Sequence, residues 1–405
     1  MNIYDNHHTR PYGVGLAYRY PVHDQALEHR DEIDLLEIST EDYIVRERRI
    51  HADPYEEKLT EALEVFPAVA HGLSLSIGTV APLNEYYLHA TKQFLEDNHL
   101  TVFSEHCAFH SVDGNDLTMF LPLPFEEASV QWIKQNYYAV RRELERPFAL
   151  ENVTYHFPIP RGSLSEAEFL KRLTEETDCT LLLDITNVFN NASNHCYDPI
   201  EFFETVPMDR VSQMHLAGGH KTDDGKWEDS HSRPVMEPVW PLFEEAVKRA
   251  VNCEIVILER DSRMDPFDSV LHDIRRAREI FYSIRPEKSG TGKPTDMEQG
   301  SGETFPDDPA FLELKGFQRC LMARITSAEY REFFQHNPIA ACAEFGLANS
   351  EWIEKLKECD PAEMEKLANS WDYIQNDDAK IGEAYEKSEW EAWADQLAQE
   401  EAVSG

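Results

Sequence analysis

The sequence predicts an α/β protein, a TIM (β/α)8 barrel followed by a small helical C-terminal domain, and three observations predict it. Short apolar runs alternate with segments of helical period from Gly13 to Glu259, the rhythm of a parallel sheet wrapped in helices. Most of these runs pass a His, Asp or Glu to their ends, where barrels of this class keep their chemistry. After Arg285 the composition changes abruptly.

In order, residues 12–20 contain GVGLAYRY, a first strand. Its Gly-Val-Gly start is too short for a phosphate loop and reads as a tight strand start. Residues 33–38 (IDLLEI) make the second strand, with Glu37 near its end and Glu41 four residues on. Residues 54–66 have the spacing of a covering helix. Residues 68–77 (AVAHGLSLSI) carry His71, and a helix is expected over about 83–98. Residues 100–106 (LTVFSEH) form a strand ending on Glu105 and His106. The PLP at 122–124 breaks the chain before a long helix over about 126–144. Residues 148–152 (FALEN) end on Glu151 and Asn152, and a helix near 165–176 precedes LLLD at 181–184. Three leucines read as the end of a buried parallel strand, with Asp184, Asn187 and His195 following where the strand opens into a loop. A short helix near 199–205 leads to a strand at 211–216 carrying His215. A Gly-rich turn (217–220, ending on His220) and a loop with Glu228, Asp229 and His231 follow. A helix over 239–250 then precedes a last strand, 253–259, ending on Glu259.

The bulk properties exclude some functions. A net charge of −38 on 405 residues argues against nucleic acid, whose phosphates need clustered Lys and Arg. No apolar run approaches a membrane span, and the start MNIYDNHHTR has no signal-peptide core. The expectation is therefore a cytoplasmic protein without a membrane partner. Seven cysteines without a CxxC pair suit reduced thiols.

Residues 286–308 are rich in Gly, Pro, Ser and Thr without an apolar period, the composition of a flexible linker. From Thr291 onward there are 25 Asp and Glu against 10 Lys and Arg, so residues 309–405 form an acidic domain. Residues 310–367 are expected to be amphipathic helices with Phe311, Leu312, Leu314, Phe317, Leu321, Phe333, Phe334 and Trp352 in a small core. Residues 371–405, with Trp390 and Trp393, read either as a terminal helix or as an interaction tail.

Collected, the candidate metal ligands are His71, His106, Glu151, Asp184, Asn187, His215, Asp229, His231 and Glu259. Imidazole with carboxylate suits Fe, Mn or Zn. Nine such residues exceed one ion's needs, so two or three ions bridged by Glu151, Asp184 or Glu259 follow from counting. A single strand-end His is more often a hydrogen-bonded structural residue; the succession along the chain carries the argument. His89, His99, His110 and His156 are read as structural. Glu37, Glu41, Asn152, His195 and His220 are candidates for supporting ligands or touching substrate, and Glu37, Glu41 and Glu105 read equally well as salt-bridge partners.

The segments SLSIG, SEH, LPLP, LEN, LLLDITN, NASNH, QMHLAG, the Asp229-Ser230-His231 step and VILE resemble, in order and spacing, the DUF692 family of multinuclear non-heme iron oxidative enzymes, which includes the methanobactin-biosynthesis type. The resemblance covers residues 10–285. It implies a xylose-isomerase-like barrel with two or three irons, mixed Fe(II) and Fe(III), that uses O2 to oxidise cysteine or another residue of a ribosomally made precursor peptide. Carried over, His71, His106 and Glu151 hold one iron. Asp184, His215 and Glu259, with bridging Glu151, hold the second, and Asn187, Asp229 and His231 the third. Asp184, His215 and Asn187 are the expected catalytic residues. Glu105, Thr186, Cys196 and Ser232 stand where the family usually has Asp, Asn, Gly and Gly. The spacing is also similar to endonuclease IV-like and sugar-isomerase barrels, so a metal-dependent hydrolase or isomerase is the alternative. In the DUF692 family a partner protein or fused module grips the peptide's leader. The acidic C-terminal domain is a candidate for that role, for a fused substrate-like segment bearing Cys320, Cys342 and Cys359, or for an appendage stabilising a homodimer.

Overall fold

The computed structural model describes residues 11–44, 54–113, 115–155, 162–222, 225–264, 266–285, 308–348, 350–359 and 361–376. Eight parallel strands close a barrel: β1 (Gly13–Tyr18), β2 (Leu36–Ser39), β3 (Ala68–Gly72), β4 (Phe103–His106), then β7 (Ala149–Glu151), β8 (Thr180–Asp184), β9 (Val211–Ala217) and β12 (Ile255–Glu259). Two antiparallel hairpins interrupt the βα rhythm, β5 (Phe109–Val112) with β6 (Asn115–Leu121) and β10 (Gly219–Lys221) with β11 (Trp227–Asp229). Closure is direct, Gly13 to Leu16 of β1 lying beside Ile255 to Leu258 of β12. The barrel strands are buried on both faces, as parallel strands covered by helices must be. At the start of β1, Gly13 has φ +119° and a Cβ on Gly15 would meet the Leu35 carbonyl at 2.2 Å, so the expected tight strand start is a close approach only glycine allows.

The helices of this part are α1 (His23–Glu28), α2 (Glu41–Ile44), α3 (Pro54–Val65), α4 (Glu85–Asp97), α5 (Glu127–Leu144), α6 (Glu166–Glu176), α7 (Ile185–His195), α8 (Pro199–Thr205), α9 (Val239–Arg249) and α10 (Asp268–Ile284). The main correction is α7. The stretch expected to open into a loop after Asp184 is a helix, capped by Asp184, whose side chain accepts the Asn187 N–H at 2.8 Å. Its asparagines read as loop because isolated asparagine competes with the helix backbone; here their side chains are taken up elsewhere. The loop expected around Glu228 and Asp229 is the β10–β11 hairpin, and residues 73–77 lie outside β3.

The chain divides into two compact units, Met1–Leu314 and Lys315–Gly405. In and leading into the second are α11 (Pro309–Thr326), α12 (Ala328–His336), α13 (Pro338–Glu344), α14 (Ser350–Glu358) and α15 (Pro361–Asn376). Phe317, Leu321, Phe334 and Trp352 are buried as expected, with the Phe317 and Trp352 rings 5.0 Å apart. Leu312 is 49% exposed and Phe333 half-buried, because each falls off the inward stripe of its helix. Cys320, Cys342 and Cys359 are buried, so a segment offering them as substrate would first have to unfold. Residues 286–307 of the expected linker and residues 377–405, with Trp390 and Trp393, lie outside the described residues. Among the described residues no helix is long and apolar enough to cross a membrane.

Candidate metal centre

Parallel strands deliver their last residues to one rim. Here β3 brings His71, β4 His106, β7 Glu151, β8 Asp184, β9 His215 and β12 Glu259. Register keeps neighbours level: Glu151 lies beside His106, and His215 beside Asp184. Ligand-capable atoms of His71, His106 and Glu151 lie within 4.8 Å of one another, as do those of Glu151, Asp184, His215 and Glu259. Glu151 belongs to both groups.

The hydrogen bonds aim these atoms. Nδ1–H of His106 donates to the Gly72 carbonyl at 3.2 Å. Burial pushes this imidazole down to about 3, so the ring is neutral. It therefore presents the Nε2 lone pair to Glu151 Oε2, 3.4 Å away. The Ser104 hydroxyl lies 3.4 Å from the Ala70 carbonyl, which can only accept, so Nδ1–H of His71 donates to Ser104 Oγ at 2.9 Å and its Nε2 lone pair faces the same Oε2 at 3.2 Å. Burial, with His106 and His215 nearby, holds His71 well below the usual imidazole range. Two lone pairs against a carboxylate oxygen repel, and a cation among them removes the conflict.

His215 is clasped by carboxylates, with Nε2 2.8 Å from Glu37 Oε2, and Nδ1 3.0 Å from Glu259 Oε2 and 3.3 Å from Glu151 Oε1. Burial alone would push its pKa down, but Glu259, Glu37 and Glu151 hold it well up. Burial also raises Glu151, to about 7, and raises Asp184 with Asp229, Glu151 and Glu259 adding to it. Glu151 Oε2, Asp184 Oδ2, His215 Nδ1 and Asp229 Oδ1 are buried without a hydrogen-bond partner. Unpaired buried polar atoms are costly, and those of Glu151, Asp184 and His215 converge with Glu259 as metal donors do. The residues present therefore fit two ions sharing Glu151.

The other expected ligands lie alongside. His231 Nε2 is 2.9 Å from Asp229 Oδ2 and 3.8 Å from Glu259 Oε2, so this pair adjoins the Glu259 edge. Asn187 sits beside Asp184, its amide donating to the Asn152 carbonyl at 3.0 Å and accepting the Thr154 hydroxyl. Asn152 brackets Asp184, accepting its N–H at 2.9 Å and donating to its carbonyl at 3.1 Å.

Other candidates are placed differently. Glu41 accepts the Leu73 N–H at 2.7 Å and the Thr40 hydroxyl at 3.0 Å. Glu105 accepts the Tyr87 hydroxyl at 2.7 Å and the Leu75 N–H at 2.9 Å, and burial followed by Glu41 pushes it up to about 8. The structure does not bring His195 or His220 to the cluster. His195 is at the far end of α7, roughly 15 Å of helix from Asp184, where it bonds the Tyr155 carbonyl at 2.9 Å. His220, 33% exposed on β10, pairs with Glu228 across the hairpin at 3.4 Å.

Sequence reasoning missed Asp261, which holds Nδ1 of His231 at 2.9 Å and is itself paired with Arg19. The signal was present, two residues past Glu259 on the strand-end pattern. It also missed Phe120, which stacks on His106 with centroids 3.8 Å apart. Nothing local marked it, because hairpin pairing places it there.

The family model described as "RiPP precursor modification enzyme MbnB/TglH/ChrH" matches residues 13–282. A UPF0276 protein of Nitrosospira multiformis is 37% identical over 52% of this chain and 74% of its own. One of Acaryochloris marina is 31% identical over 68% of this chain and 97% of its own. Among solved structures, a D-psicose 3-epimerase with D-fructose is similar at 10% identity and TM-score 0.43, over 67% of this chain and 99% of that one. A xylose isomerase domain protein of Planctomyces limnophilus is similar at 13% and 0.43, over 68% and 99%.

Proposed function

The chain belongs to the RiPP precursor modification enzyme family MbnB/TglH/ChrH, and from that premise we propose that it is an iron- and O2-dependent oxidoreductase that modifies a residue, cysteine, of a ribosomally synthesised precursor peptide. The observation that carries this reading is the sharing of Glu151 between the His71–His106 group and the Asp184–His215–Glu259 group. A bridging carboxylate suits two adjacent ions, and imidazoles and carboxylates without a thiolate suit iron in either valence. Iron bound there would supply one-electron redox chemistry toward O2.

The chain's own residues prepare the site. Glu37 accepts a hydrogen bond from Nε2–H of His215 and keeps Nδ1 turned to Glu151 and Glu259. Ser104 and the Gly72 carbonyl fix the tautomers of His71 and His106. Asn152 locks the backbone of Asp184, and the Phe120 ring stacks on His106. A third ion would be held by His231, oriented by Asp261, with Asp229 and Asn187, as the family resemblance implies. The C-terminal helical unit is assigned the recognition of the peptide's leader.

The test is metal content of anaerobically purified protein with Mössbauer spectroscopy on iron-57 material. Roughly two to three spin-coupled irons per chain are expected, and Asp184→Ala or His215→Ala should lose bound iron and turnover together. Stoichiometric zinc with little iron would overturn the reading in favour of hydrolysis or isomerisation.

A further inference from the structure

We propose that helix α7 is the spacing element of the metal centre: Asn191 and His195 set where Glu151 and Asn152 stand, Asn194 sets where Asp229 stands, and Asp184 is the helix's own N-cap. The inference rests on reading the carboxylate and imidazole groups as metal-binding. Residues 152–155, directly after Glu151, belong to no strand or helix, so their backbone groups need partners from elsewhere. The helix supplies them from one face. Asn191 donates to the Val153 carbonyl at 2.9 Å and accepts the Tyr155 N–H at 3.1 Å. One turn on, Nε2–H of His195 donates to the Tyr155 carbonyl at 2.9 Å while its ring stacks on Tyr155, centroids 4.2 Å apart. Glu166 fixes which way the Asn191 amide points, its two oxygens each 3.4 Å from Nδ2.

A neighbouring face grips the other side of the centre. Asn194 donates to the Trp227 carbonyl at 2.9 Å and accepts the Trp227 N–H at 2.8 Å. Phe189 supports the same residue, with ring centroids 5.3 Å apart. Trp227 begins β11 and Asp229 ends it. Asparagine is a poor helix former, and Asn187, Asn190, Asn191 and Asn194 crowd a helix of 11 residues. Their placement follows from what their side chains hold. Asn191, Asn194 and His195 are positioning residues: each acts on the ligands through backbone it bonds.

The two grips predict separable defects. Full-length protein, stripped of metal, is titrated anaerobically with Fe(II), and with Zn(II) in parallel, against a competing chelator, with the melting temperature of the metal-free form recorded. Asn191→Ala and His195→Leu should weaken the ions that share Glu151 by about 10- to 100-fold. Asn194→Ala should leave those ions at wild-type affinity and lose the one held by Asp229 and His231. His195→Gln, which keeps a donor for the Tyr155 carbonyl, should restore wild-type binding, and Ser193→Ala, exposed on the same helix, should match wild type. Wild-type stoichiometry and affinity in both Asn191→Ala and Asn194→Ala would overturn the proposal. So would equal loss at every ion in proportion to a fall in melting temperature, which marks a merely structural helix. Should Asn191→Ala not fold, His195→Leu decides. A wild-type chain that takes up no metal would instead remove the functional reading beneath it.

Discussion

Glu37 shows what a single residue does at this rim. Its carboxylate lies 2.8 Å from Nε2 of His215, so Glu37→Gln should leave the fold intact and weaken metal binding by about 10- to 100-fold, read by chelator competition. Glu166 gives a pH prediction. Burial raises it from 4.5 to about 8, although Tyr155, Tyr197 and Asn191 bond it. A carboxyl raised on folding contributes stability fully below about pH 4.5 and loses it as pH rises through 8. Metal-free wild type should therefore lose roughly 3–5 kcal/mol relative to Glu166→Gln between pH 4.5 and 8, measured by urea unfolding of both across that range. Glu37 was legible as a candidate supporting residue, its partner was not, and nothing in the sequence marked Glu166. Glu37 could be read as a salt-bridge partner, and its imidazole partner lies 178 residues away; Glu166 is one acid among several in an amphipathic helix.

At the scale of elements, helix α6 was legible to within a residue because its start is local chemistry. Ser165 Oγ accepts the Glu168 N–H at 3.2 Å and Glu168 accepts the Ser165 N–H at 2.7 Å, a capping box. Ser165→Ala should cost about 1 kcal/mol in urea unfolding and leave metal content unchanged. Helix α7 was not legible, for the opposite reason. Its asparagines bond residues 152–155 and Trp227, distant in sequence, and without those partners the same letters favour a loop.

At the scale of the whole molecule, the family match ends at residue 282 and α11 begins at Pro309. A chain ending at Arg285 should melt cooperatively and match the full chain's metal content, checked by circular dichroism and elemental analysis. Turnover falling on leader-bearing but not on leaderless peptide would support leader recognition by the C-terminal unit. Unchanged turnover on both would leave that unit as a structural appendage. The chain's acidity also has a local meaning at this scale. Carboxylates gathered at the barrel mouth, with Glu151, Asp184 and Glu105 pushed up by burial, make a site suited to cations rather than phosphates.

The barrel, its strand-end His, Asp and Glu residues and the change of composition after Arg285 were determined by the sequence itself, because strand period, leucine-rich runs and caps are local and short in range. Motif order carried the grouping of His71, His106, Glu151, Asp184, His215 and Glu259 as well. Tertiary structure decided the rest: Glu37 against His215, Asp261 against His231, Phe120 over His106, and α7 as a helix holding both sides of the centre. Each depends on a partner brought near by barrel closure or hairpin pairing, and no local period in the chain encodes which residue that will be.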